Sequence, residues 1–124
     1  MNFSLTKMVK GALPKIPWSK IKNKVIGEKY DLSLVLTNDI IIKRLNSRYL
    51  KRNRATCILA FMLSSRQGEI FICPSWIKKI AKENKMNFKY ELNKIFIHGL
   101  LHLKGREHGK KMEKEETRFL KITK

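Results

Sequence analysis

The segment Phe88–Leu103 constrains this chain more than any other. Its apolar residues Phe88, Leu92, Ile95, Phe96, Leu100 and Leu103 return at steps of three and four. That is the spacing of a helix face, whereas a half-buried strand would alternate. Gly105 stands just beyond, where a chain leaving a helix can turn through the left-handed conformation open to glycine. A helix this apolar must be covered by other elements. The chain has 124 residues, which gives one core and one domain, 1–124.

The covering elements can be read along the chain. Phe3–Leu5 suits a short strand, and Pro14 and Pro17 break any long helix before Trp18–Ile26, which reads as helical. Leu32–Leu36 is a buried strand, and Asn38 follows as an N-cap with Asp39 at the positive end of the helix dipole. Ile41, Leu45 and Tyr49 then give one apolar helical face. Thr56–Leu63 and Glu69–Cys73 are two more strands, separated by loop chemistry at Ser64–Gly68. A hairpin between them would bring Cys57 near Cys73, both expected as free thiols. Pro74 opens a helix running to about Asn84, with Ile77, Ile80 and Ala81 inward, and a last mixed-charge helix spans Lys110–Ile122. Strands and helices intermingle, so the expected class is α/β (α+β). It has a small mixed four-stranded sheet packed by helices.

Composition narrows the function. Lys and Arg number 28 against 10 acidic residues, a net charge of +18. A surface so positive favours a polyanionic partner, and nucleic acid is the first expectation. Between Lys43 and Arg54 the chain carries only basic charges. Two cysteines are too few for a disulfide framework. No segment is apolar enough to span a bilayer, and Lys7 and Lys10 interrupt the only apolar stretch near the start. The expectation is a soluble, cytoplasmic protein with no membrane role.

All three histidines fall in one stretch, His98-Gly99-Leu100-Leu101-His102-Leu103-Lys104-Gly105-Arg106-Glu107-His108. His98 and His102 are i and i+4, so both imidazoles leave one face of the helix a turn apart. That separation suits two nitrogens meeting one Zn²⁺, and a turn at Gly105 could return His108 as the third ligand. Three protein ligands leave a position open for chemistry. Metzincin proteases share the spacing but carry Glu immediately after the first His, where this chain has Gly99, so proteolysis ranks low. Glu107 is the only carboxylate in the motif and is the candidate to hold a histidine or accept a proton.

The motif His98-Gly99-x-Leu101-His102-Leu103-x-Gly105-x-x-His108 resembles the signature of the YbeY family, bacterial endoribonucleases of ribosomal RNA maturation. Leu45-Asn46, Tyr49, Thr56, Leu59 and Phe61 fit a second family segment, and Gly68-Glu69-Ile70-x-Ile72 fits a strand. Met112 with Glu116 fits the family's C-terminal helix. The resemblance implies a zinc ion on His98, His102 and His108 and single-stranded RNA as substrate. It also implies a ribosomal setting with small-subunit proteins and action at the 3′ end of 16S ribosomal RNA. Lys51, Arg52 and Arg54 are the residues expected to position the RNA backbone. The family's Arg after the Tyr is Leu50 here, its Asp or Asn after Thr56 is Cys57, and the Ser before Phe61 is Ala60. Leu50 and Cys57 motivate a second expectation, a non-catalytic zinc-containing RNA- or ribosome-binding factor. Tyr49 and Trp76 could stack unpaired bases, but their apolar context predicts core packing for both.

Overall fold

In the computed structural model, residues 2–50, 56–105 and 110–122 are described. The elements are β1 Phe3–Lys7, α1 Trp18–Ile26, β2 Asp31–Leu36, α2 Asp39–Leu50, β3 Ile58–Ser64, β4 Gln67–Ile72, α3 Pro74–Glu83, α4 Phe88–Leu103 and α5 Lys110–Ile122. The four strands form one mixed sheet in the order β1-β2-β4-β3. β1 and β4 both run parallel to β2, and β3 turns back antiparallel on β4.

Register decides which face is buried. Leu32, Leu34 and Leu36 of β2 stand opposite Gly68, Ile70 and Ile72 of β4, and this alternate set faces the larger core. On that face lie α1 through Ile21 and Val25, α3 through Ile77, and α5 through Phe119 and Leu120. In the middle is α4, which packs against α1, α3, α5, β3 and β4. Its buried residues include Leu92, Phe96, Ile97, Gly99, Leu100, Leu101 and Leu103, so it is enclosed on more than the one stripe its periodicity suggests. A helix apolar on most sides belongs inside a molecule. Trp18 of α1 meets Phe96 edge-on at 5.0 Å. The other sheet face carries a smaller cluster of Ile42, Leu59 and Cys73, with Leu45, Phe61, Phe71 and Trp76 around it. α2 covers that face.

The caps are where the sequence put them. Asn38 Oδ1 accepts from the Ile41 N–H at 2.9 Å and opens α2. Asn87 does the same for α4, accepting from Tyr90 N–H at 3.1 Å. α4 closes with Gly105 N–H on the His102 carbonyl at 3.0 Å, and Gly105 has φ +90°, a conformation that favours glycine. Cys73 N–H donates to the Cys57 carbonyl at 2.9 Å, so the hairpin does bring the two free cysteines opposite each other.

Three readings need correction. Only Ser65 and Arg66 form the β3–β4 turn, because Gln67 and Gly68 already pair as part of β4. The buried face of α2 is set by Ile42 and Asn46, not by Ile41 and Tyr49. Tyr49 is 59% exposed instead of packed in the core, whereas half-buried Trp76 does pack against the smaller cluster.

Candidate metal centre and its basic surround

His98 and His102 lie on the last two turns of α4, and the core residues between them fix their direction. Leu100, Leu101 and Leu103 are buried and Gly99 is pressed to the sheet, so the two imidazoles are left on the half-exposed side. Their ring centroids are 4.8 Å apart and nearly perpendicular, 77° between planes. Two rings this close, one turn apart, can direct one nitrogen each at a common ion. Glu116 of α5 reaches the same place. Its Oε2 lies 3.4 Å from His98 Nδ1, with the side chains 13% and 24% exposed. That sets the carboxylate against Nδ1 of His98.

His108, Glu107, Arg106 and the basic residues Lys51, Arg52 and Arg54 lie outside the described residues. Among the described residues no group of three His, Cys, Asp or Glu side chains could hold a metal ion. The donor chemistry of the two described histidines nevertheless fits zinc, with imidazole nitrogens at i and i+4 and a carboxylate behind one of them.

Positive charge gathers at the end of α4, on α5 and on α2. Lys104, two residues beyond His102, places Nζ 6.0 Å from the centre of the Phe119 ring, and the Arg118 guanidinium sits 4.7 Å from the same ring. Both cations are exposed. On the other side of the sheet, α2 turns Ile40, Lys43, Arg44, Ser47 and Arg48 outward as one shallow surface. Arg48 lies 5.6 Å over the Tyr49 ring, which meets Phe61 edge-on at 5.9 Å.

Motif reading missed the carboxylate partner of His98. The sequence pointed to Glu107, beside a histidine in the chain, whereas the described contact comes from Glu116, brought over by the packing of α5 on α4. The only signal was the weak match of Met112 and Glu116 to a family helix.

This fold and site define a class: an α+β domain whose central helix presents a pair of histidines and whose α2 carries a basic surface. The comparisons give the family. A family model described as Endoribonuclease YbeY matches residues 3–123. A Pelagibacter ubique protein named Endoribonuclease YbeY is 36% identical over 116 residues, covering 83% of this chain and 76% of its own. One of the same name from Thermotoga petrophila is 34% identical over 104 residues, covering 82% and 69%. A solution structure of a Thermotoga maritima protein superposes with a TM-score of 0.68 at 27% identity, over 95% of this chain and 86% of that one. The chain belongs to the YbeY family. No helix among the described residues is long and apolar enough to cross a membrane.

Proposed function

We propose that this protein is a zinc-dependent endoribonuclease that cuts single-stranded RNA in ribosomal RNA maturation, with His98, His102 and His108 as metal ligands. The observation that carries the reading is the pair His98–His102, side by side at 4.8 Å on a helix locked into the core. Membership of a family whose curated members are named endoribonucleases supports it. The same family supports the 3′ end of 16S ribosomal RNA as the target, and the small ribosomal subunit as the setting in the cytoplasm.

A zinc ion held there supplies Lewis-acid polarisation of a phosphoryl oxygen and a water acidic enough to lose its proton near neutrality. The chain does the rest. Its buried core fixes His98 and His102 so that neither must reorganise during the reaction. Lys104, at the end of the helix that carries the histidines, and Arg118 gather exposed positive charge around Phe119, available to a polyanion. Edge strand β3 packs under α4 on one face and against α2 on the other. An RNA strand crossing that edge meets the histidines on one side and Lys43, Arg44 and Arg48 on the other. Lys51, Arg52 and Arg54 extend the same basic run in the sequence. These contacts read charge and not sequence. Glu107 is the proposed proton acceptor beside His108.

The test is cleavage of a labelled single-stranded RNA by the zinc-loaded protein and by His102→Ala purified identically. Cutting by the wild type alone is the expected result. RNA binding without cutting by either, at any zinc load, would overturn the enzyme reading. It would favour the non-catalytic binding factor that Leu50 suggests.

A further inference from the structure

The geometry points to Glu116 as a positioning residue that fixes the tautomer and ring orientation of His98 for metal binding. This deepens the function proposed above and rests on His98 being a ligand. Three observations converge. Glu116 Oε2 lies 3.4 Å from Nδ1 of His98, so the carboxylate engages one ring nitrogen and the other is the one assigned to the metal. Both groups are sheltered, at 13% and 24% exposure, where a carboxylate–imidazole contact is less weakened by water than on an open surface. The contact also joins two separately anchored elements. His98 is set by buried Ile97 and Gly99, and Glu116 by Phe119 and Leu120, whose burial ties α5 to the core.

The chemistry follows from imidazole itself. A neutral histidine carries one N–H and one bare nitrogen, and the hydrogen bond made by one nitrogen sets the role of the other. In the proposed arrangement Nδ1–H is directed at the Glu116 carboxylate, and the lone pair of the neutral ring lies on Nε2. Carboxylate partners of this kind also raise ligand basicity. The arrangement presents a ready ligand before any ion arrives, so less ordering remains for binding to accomplish.

The rival account is that Glu116 simply tethers α5 to α4. Two measurements on the full chain separate them. Zinc affinity is read by competition with a chromogenic chelator for the wild type, Glu116→Ala, Glu116→Gln, Glu113→Ala and His102→Ala. The tautomer of His98 is read by long-range ¹⁵N–¹H correlation in the zinc-free protein, above the ordinary imidazole titration range. Glu116→Ala should bind zinc about 10–100-fold more weakly, the usual scale for losing such a partner. Glu116→Gln, which keeps an acceptor, should recover most of that loss. Glu113→Ala removes the same charge from an exposed position of the same helix and should match the wild type. His98 should be Nδ1–H in the wild type and in Glu116→Gln, and shift toward Nε2–H in Glu116→Ala.

Wild-type affinity in Glu116→Ala, with binding still lost in His102→Ala, overturns the assignment and leaves the metal reading standing. Equal zinc binding by wild type and His102→Ala removes the histidine site and the assignment with it. Should Glu116→Ala not fold, the wild-type tautomer decides: Nδ1–H supports the assignment and Nε2–H overturns it.

Discussion

Gly99 shows at the level of one residue why α4 has no room for the general-base carboxylate of a protease motif. A Cβ there would come within 2.7 Å of Ile58 Cδ1 and 3.2 Å of Ile70 Cδ1. A carboxylate at this position would enter the core and not the reaction site. Gly68 is tighter still, because its Cβ would strike the buried Tyr30 hydroxyl and approach Leu103 Cδ1 to 2.9 Å. Overpacking of this kind costs about 1–3 kcal/mol. In helical Gly99→Ala, the propensity gain of about 1 kcal/mol offsets part of that. The ends of two isoleucines can also move, whereas at Gly68 the buried Tyr30 hydroxyl and Leu103 must both give way. We expect Gly68→Ala to lose more stability than Gly99→Ala, read as the shift in urea midpoint, and the reverse order would refute this view of the α4–sheet contact. The pair His98–His102 was legible from spacing alone, because i and i+4 share a face in any α-helix. Glu116 was not. Its place depends on how the chain returns after Gly105, and nothing local to Glu116 records that.

Element ends proved more legible than element faces. Asn38, Pro74 and Gly105 act through local backbone hydrogen bonds and fixed dihedrals, so their meaning survives without tertiary context. The face of α2 lacks such a marker. Ile40, Ile41 and Ile42 run consecutively and give no phase, and buried Asn46 stands where an apolar residue would have set it. The result is a helix turned so that Lys43, Arg44 and Arg48 share its outer surface. That rotation carries its own prediction. If RNA runs over α2, neutralising all three to Gln should reduce the slope of log affinity against log salt by about 2, at about 0.7 for each single-strand phosphate no longer neutralised. The matched change of exposed Lys78, Lys79 and Lys82 on α3 removes equal net charge and should alter the slope less. Equal slopes for the two triple variants would make the effect one of overall charge only.

Across the whole molecule, burial disfavours the ionisation of two acidic groups. Burial pushes the Cys57 thiol up, with the nearby charges of Cys73 and Glu91 adding to it. Burial alone pushes up the Tyr30 phenol, whose hydroxyl has no hydrogen-bond partner among the described residues. Both hold their protons more tightly folded than unfolded. Their contribution is therefore whole below the unfolded values and is lost as pH rises through the folded ones. Lys22, lowered by burial, works in the opposite direction at the upper end of that range. Stability measured by urea should fall from about pH 9 upward, and Cys57→Ser with Tyr30→Phe should flatten the fall. Tyr30→Phe should also leave stability near neutral pH unchanged or raised, since it removes a buried hydroxyl that gains no bond. A fall of unchanged steepness in the double variant would place the alkaline sensitivity elsewhere.

The enclosure of α4 has a consequence for how such a protein can change over generations. Leu92, Phe96, Leu100 and Leu103 hold the core together and, in doing so, aim His98 and His102. Any descendant that still folds keeps the direction of that pair, whether or not its chemistry is under selection. The basic outer face of α2 carries no comparable burden in the core and can drift freely. In a lineage losing the activity, decay should therefore be recorded at exposed positions, while the direction in which positions 98 and 102 point persists as a relic of packing.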